Sequence, residues 1–265
     1  MKVVATGLAL AIGLVTGAAR AEDRPAQLRD VAFEQRLGDP VPLDVPFRDE
    51  DGKPVTLRDY AGKPMLLVPA YYTCPMLCTL VLNGVVSMLR ALPFDAGREF
   101  TVVTFSFDPQ DGPEAAAAKK ATYIGEYRRL GAEGGWHFLT GDAASVDALT
   151  KAIGFRATWD QENKQFAHAS GIVLVTPQGR ITKYFFGVEF SARDLRLAIV
   201  EASANQIGTF VDQLLLFCFH YDPATGRYSR LALDVVRAGG VLTIAAMAGM
   251  IGWWLRRERL GRAAA

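Results

Sequence analysis

The chain has no excess charge of either sign: 29 basic against 28 acidic residues leave a formal net charge of +1 over 265 residues. Without a basic field there is nothing to hold a phosphate backbone, so nucleic-acid binding is set aside. Cysteine and histidine are equally sparse, at three each. An odd number of cysteines cannot all pair with one another, so one is a reactive thiol, an intermolecular partner or a ligand. Internal repeats and low-complexity tracts are missing too. What is plentiful is apolar content: a hydrophobic fraction of 50% supplies ample core for one large domain or two small ones.

Part of that apolar content lies at the two ends. Met1–Ala21 carries Lys2, an apolar stretch from Val3 to Val15, and the small residues Ala19-Arg20-Ala21 in an Ala-x-Ala-like cleavage pattern. This reads as a secretory signal peptide over 1–21, with the mature chain starting near Glu22. From Ala238 to Leu255 no residue is charged, and at 1.5 Å rise per residue such a run reaches about 27 Å, close to the hydrocarbon thickness of a bilayer. Trp253 and Trp254 stand at its end as interfacial anchors, and Arg256, Arg257, Arg259 and Arg262 follow at once. The expectation is a transmembrane helix over 231–255 and a cytoplasmic tail over 256–265. The body is then held on the periplasmic or extracytoplasmic side of a bacterial inner membrane by a single pass.

Between the ends, strands alternate with helices, which predicts an α/β domain over 44–203. Met65 to Tyr71 is a short apolar run of buried-strand type, and Met76 to Leu92 repeats apolar residues at helical spacing. Phe100 to Phe107 is the clearest strand. A helix is expected from Pro113 to about Leu130, a short strand from Trp136 to Leu139, and a helix from Asp142 to Ile153 with Asp142 as its cap. A hairpin follows, Gly171 to Thr176 and Arg180 to Phe186 joined through Pro177-Gln-Gly179, and Ser191 caps a helix to about Ala202. Residues 22–43, with Pro25, Pro40 and Pro42, read as an extended leader, and 204–230 as a membrane-proximal segment.

The chemistry concentrates in Pro69-Ala-Tyr-Tyr-Thr-Cys-Pro-Met-Leu-Cys-Thr79, where an apolar strand turns into a helix. With Pro75 in the first helical turn, where a missing N–H costs nothing, residues 74 and 78 become neighbours on one helix face, roughly 5–6 Å apart at Cβ. Two such sulfurs can share a soft metal. They can also close a disulfide, whose usual Cα separation is about 4.4–6.8 Å. A helix N-terminus favours the thiolate in either case. Two sulfurs leave Cu(I) short of a third ligand, and imidazole is the usual supplement. Of the histidines, His168 in Phe166-Ala-His-Ala-Ser-Gly171 is best placed, because the strand that follows it can end beside residue 74. His137 alternates with Trp136 and Phe138 along a strand and reads as a solvated or hydrogen-bonded histidine. His220 stands in Cys218-Phe-His220, a pair that either chelates as an auxiliary site or packs near the membrane.

Four ordered motifs together resemble the Sco/SenC family: Tyr72-Thr-Cys-Pro-Met-Leu-Cys78, Ser106-Phe-Asp-Pro109, Trp136-His-Phe-Leu-Thr-Gly141, and His168 ahead of Gly171-Ile-Val-Leu-Val-Thr-Pro-Gln-Gly179. The resemblance covers about Phe47 to Ser203 and implies a thioredoxin-like fold with a role in copper handling for cytochrome oxidase assembly. It implies Cys74, Cys78 and His168 as copper ligands, with Asp108 near the site without touching the metal, or else capping a turn. Where many members carry an acidic residue inside the cysteine motif, this chain has Met76-Leu77, and Met76 is expected to fill core space rather than approach the metal. Several members also have an N-terminal anchor, in place of the C-terminal one expected here.

The function so implied is that of a membrane-anchored metallochaperone rather than an enzyme. It would take copper as Cu(I), with Cu(II) left open, and deliver it to the binuclear copper centre of a haem–copper oxidase. The partners implied are the copper-accepting oxidase subunit, an upstream copper donor or thiol reductant, and membrane lipid. The same two sulfurs could also reduce the target's cysteines. The alternative is a thiol–disulfide oxidoreductase of thioredoxin type, against which stands the spacing: familiar motifs of that kind place two residues between the cysteines, not three. Peroxidase chemistry needs a peroxide-binding pocket, for which Thr73 alone is insufficient.

Overall fold

A computed structural model describes residues 31–74, 76–205, 221–222, 227–228 and 230–262. The region 1–21 expected to be a signal peptide, Pro75, Cys218 and His220 lie outside these residues. The chain forms β1 (Ala32–Phe33), β2 (Pro46–Arg48), β3 (Pro54–Thr56), β4 (Met65–Ala70), α1 (Leu77–Ala91), β5 (Thr101–Ser106), α2 (Pro113–Tyr127), β6 (Trp136–Leu139) and α3 (Ala143–Ala152). It continues through β7 (Phe155–Asp160), β8 (Gln165–His168), β9 (Gly171–Val175), β10 (Ile181–Phe186), α4 (Ala192–Ser203), β11 (Tyr221–Asp222), β12 (Arg227–Tyr228) and α5 (Arg230–Arg262).

The central sheet has the order β10-β9-β4-β5-β6. β4 and β5 run parallel over their full length, β5 and β6 are parallel, and β9 runs antiparallel to both β4 and β10. Every residue of β4 and β5 is buried, which is why both read as unbroken apolar or small-polar runs rather than as alternating strands. α1 lays Cys78, Val81, Leu82, Val85, Val86, Met88 and Leu89 against the core, the stripe that a 3.6-residue period demands. Gly84 within it admits the Val188 carbonyl, which would lie 1.9 Å from any added Cβ. Trp136 is fully buried and its indole N–H donates to Thr104 Oγ1 at 2.9 Å, so the largest core side chain leaves no polar atom unpaired. The expected caps are present: Asp142 accepts from Ser145 N and Ser191 from Asp194 N.

Both edges of the sheet are covered. At β10, Gly38 N donates to Ile181 O at 2.8 Å and Val41 N to Gly179 O at 2.8 Å, so the segment read as an extended leader is tied down from residue 31 onward. Phe33 sits edge-on to Phe155, Tyr184 and Phe186 at 5.2, 5.5 and 5.7 Å. At β6, Arg48 and Thr140 exchange backbone hydrogen bonds of 2.8 and 2.9 Å, and Glu50 Oε2 accepts from Phe138 N at 2.9 Å. A second sheet, β1-β7-β8, has no counterpart in the expected elements. Its β7–β8 turn is closed by Asp160, whose carboxylate accepts from Glu162 N and Asn163 Nδ2, and by Lys164 in the left-handed region at φ 52°.

The segment expected to cross a membrane is helical, within α5. Among the described residues, however, no helix is long and apolar enough to cross a membrane. The described side chains of α5 include an unbroken run from Ala238 to Trp254, all exposed, with Leu255 outside it.

Glu50 links the β2–β3 hairpin to the core. Burial works to raise its pKa, but bonds from His137, Lys120 and the Phe138 N–H overcome that and bring it to about 2 from an ordinary 4.5. A carboxylate depressed in the fold stabilises it above the unfolded pKa and loses that contribution as pH falls through the folded one. Stability is therefore expected to decline between about pH 4.5 and 2, by at most about 3 kcal/mol from this group. Glu50→Gln should be less stable than the parent at pH 7 and show a flatter acid limb in melting temperature against pH. Equal slopes in the two proteins would remove Glu50 from this role.

Candidate metal centre

The cysteine loop begins where β4 loses one neighbour. β9 pairs with β4 only at Met65, Leu66 and Leu67, while β5 accompanies β4 to Ala70. Pro69, with no N–H to donate, lies in the stretch that β9 no longer pairs. Beyond it the backbone turns to sulfur: Tyr71 N donates to Cys78 Sγ at 3.4 Å, and Cys78 N to Cys74 Sγ at 3.3 Å. α1 starts at Leu77 with Met76 as its N-cap, so Cys74 precedes the helix instead of sharing a face of it with Cys78. The sulfurs meet through the loop's fold and not through helical spacing.

His168 ends β8 and reaches the pair from the opposite side of that opening. Its Nε2 lies 3.4 Å from Cys78 Sγ, and its Nδ1 2.9 Å from the Ala169 carbonyl oxygen. A carbonyl can only accept, so Nδ1 carries a proton, and Nε2 is the ring atom turned toward the sulfurs. Phe107, Phe155 and Tyr71 surround the ring, with centroids 5.1, 6.1 and 6.2 Å away. Cys74 Sγ, Cys78 Sγ and a ring nitrogen of His168 all lie within 4.8 Å of one another, and all three residues are buried. Both described cysteines are free.

The two thiols are driven apart in acidity. A hydrogen bond from Cys78 is the main force lowering Cys74, against the cost of burial, with His168 and the backbone N–H groups of Cys78 and Met76 adding to it. Cys78 is raised by the same contact and then by burial. The metal-free pair thus carries one shared proton, its charge on Cys74. Losing that proton leaves two thiolates and a neutral imidazole, a soft S₂N set suited to a trigonal site for a soft cation and poor for a hard one.

Asp108 and Asp111 divide the role expected of one residue. Asp108 closes a turn, its carboxylate accepting from Gln110 N at 2.9 Å. Asp111 is the carboxylate beneath the cysteine loop: Oδ2 accepts from Tyr72 N and from Ser106 Oγ, each at 2.6 Å, and burial raises its pKa. Only tertiary contact could single it out, although its place three residues after Asp108 in a turn before Pro113 marks a loop. His137 stays apart from the sulfurs, its ring tilted by 34° against Tyr60 with centroids 4.3 Å apart, and lies 3.7 Å from Glu50. Met76, expected in the core, is 64% exposed.

A mixed sheet with this cysteine pair at the start of a helix, completed by a histidine from the end of β8, defines a thioredoxin-like domain with a dithiol–imidazole centre. The chain belongs to the SCO1/SenC family, whose model matches residues 38–202. It is 25% identical over 177 residues to the SCO1 protein homolog of Bacillus subtilis (strain 168), covering 64% of this chain and 88% of that protein. It is also 25% identical over 137 residues to a putative copper-binding protein of Stutzerimonas stutzeri, covering 50% of this chain and 63% of that one. Among solved structures, a putative electron transfer protein from Aquifex aeolicus VF5 matches with a TM-score of 0.57 and 28% identity, over 64% of this chain and 95% of the other.

Asp111→Ala would strand the buried Tyr72 N–H and Ser106 hydroxyl, at a cost of about 2–4 kcal/mol in urea unfolding. Asp111→Asn keeps an acceptor oxygen and discards a charge that burial disfavours, so its cost should stay below about 1.5 kcal/mol. Equal losses in the two variants would contradict this account of the loop.

Proposed function

We propose that the chain is a copper-handling protein that takes copper, as Cu(I), on Cys74, Cys78 and His168 and delivers it to the binuclear copper centre of a haem–copper oxidase. The observation that carries this reading is the convergence of two sulfurs and an imidazole in one buried cluster. Copper is the cargo. The protein's residues do three things for it: the backbone N–H groups stabilise thiolate at Cys74, the Ala169 carbonyl presents Nε2 of His168, and the aromatic wall keeps water from competing for the metal. Membership of the SCO1/SenC family and the likeness to a putative copper-binding protein of Stutzerimonas stutzeri support the choice of metal and, through the family, of acceptor.

Tethering to a membrane belongs to the same proposal, with export of the body by residues 1–21. Its support is the charge-free sequence 238–255 and the exposed Val241, Leu242, Ile244, Met247, Met250, Ile251, Trp253 and Trp254 of α5. Ending the chain at residue 230 should move the protein from the membrane fraction to the soluble one. Retention in the membrane fraction would count against the tether.

A second reading, thiol–disulfide exchange, is favoured by one specific feature, the lowered thiol of Cys74 beside a thiol partner. The two readings separate at His168. Copper binding predicts one Cu(I) per reduced chain and an affinity loss of at least about 100-fold in His168→Ala, read by competition with a Cu(I) chelator. Exchange alone predicts that His168→Ala keeps disulfide turnover with a model thiol and that Cu(I) affinity does not change.

A further inference from the structure

One sulfur beside the pair has no assigned part. Met76 lies between Cys74 and Cys78 and is 64% exposed, whereas Cys74, Cys78, Met65 and Met88 are 8%, 2%, 0% and 2% exposed. Among the described residues before α5 it is therefore the sole exposed sulfur-bearing side chain. Methionine in a folded domain is ordinarily a flexible core filler, and one exposed apolar side chain means little alone. Its placement is what distinguishes Met76. It follows Cys74 by two positions, it is the N-cap of α1, and its carbonyl accepts from Leu80 N at 3.1 Å. Its backbone is thus fixed to the first turn of α1 between the two cysteines, while the thioether swings on three rotatable bonds.

The sulfur pair and His168 are all buried, with His168 at 9% exposure. A metal held there must pass between the cluster and solvent, and a bare soft cation does not make that passage without a soft donor to receive it. Building on the copper reading, we propose that Met76 is the exchange ligand, holding Cu(I) together with Cys74 during loading and release. Of the three resident donors the imidazole is neutral, so a neutral thioether replaces it without changing the charge around the metal. The Nε2–Cu bond of His168 breaks as the Met76 Sδ–Cu bond forms, and no electron moves. His168 keeps its Nδ1–H on the Ala169 carbonyl and so stays oriented to rebind. Donors of the partner then form their bonds to the ion as the Cys78 thiolate, the thioether and last the Cys74 thiolate release theirs, and the emptied pair regains its shared proton from solvent.

The test uses the full reduced chain loaded with one equivalent of Cu(I), and compares it with Met76→Leu, a substitution at an exposed position that keeps size and apolarity. Equilibrium affinity is measured by chelator competition, and the rates of loading from and release to excess bicinchoninate by stopped flow. The expected result is an affinity within about threefold of the parent and both rates slowed by about tenfold or more, since an exchange ligand alters the barrier and not the end states. Leu80→Ala, one turn further on and also exposed, should leave both rates as they are. Parental rates in Met76→Leu would overturn the proposal. So would an affinity loss beyond about tenfold, which would make Met76 a resident ligand. Failure of the copper reading shows separately, as absence of Cu(I) binding by the parent chain, and takes the exchange role with it.

Discussion

The sulfur pair depends on the point where β4 and β9 part. β9 leaves β4 after Leu67, Pro69 offers no N–H in the stretch beyond, and β5 alone carries β4 on to Ala70. The opening so made is where the end of β8 delivers His168 to Cys78 at 3.4 Å. Were β9 to pair fully with β4, strand hydrogen bonds would occupy this edge, and the histidine would have no place to close on the sulfurs. A sheet that is continuous in its core and open at one corner is what gives this fold a site.

The opening is also what makes the electrostatics work. Sulfur is a weak acceptor, yet here it receives the backbone N–H groups of Tyr71 and Cys78 at the end of a strand and the start of a helix. Those donors favour negative charge at a buried position where burial disfavours it, and the balance is struck by placing one charge on two sulfurs. A cation that brings its own positive charge relieves the second deprotonation, so metal binding and proton release are linked. A disulfide between the same atoms would remove both thiolates at once. Metal-loaded and oxidised forms are therefore mutually exclusive states of one pair.

Much of this was legible in the residues and some was not, for physical reasons. Strands buried on both faces, such as Thr101–Ser106, and helices with strong caps, such as the one behind Asp142, declare themselves by local pattern. The β7–β8 hairpin did not, because only Phe155 and His168 of it are buried and the rest, half-exposed or exposed, mixes Ala157, Trp159, Phe166 and Ala167 with polar residues, with no clean alternation to read. Cys74, Cys78 and His168 could be chosen from sequence because cysteine and histidine are scarce. Asp111 could not be told from Asp108, since what distinguishes them is a bond to Tyr72 across 39 positions. Met76 was expected inside on hydrophobicity alone. It lies outside because Cys78 takes the inward face of the first turn.

The central claim is that two sulfurs and one nitrogen hold a single copper ion. X-ray absorption at the copper edge of the reduced chain carrying one equivalent of Cu(I) tests it most directly. The account predicts a three-coordinate first sphere of two sulfur scatterers near 2.3 Å and one imidazole nitrogen near 2.0 Å, distances of roughly the size thiolate and imidazole show at other soft-metal sites. A first sphere of sulfur alone, or one built of oxygen and nitrogen without a sulfur pair, would contradict it.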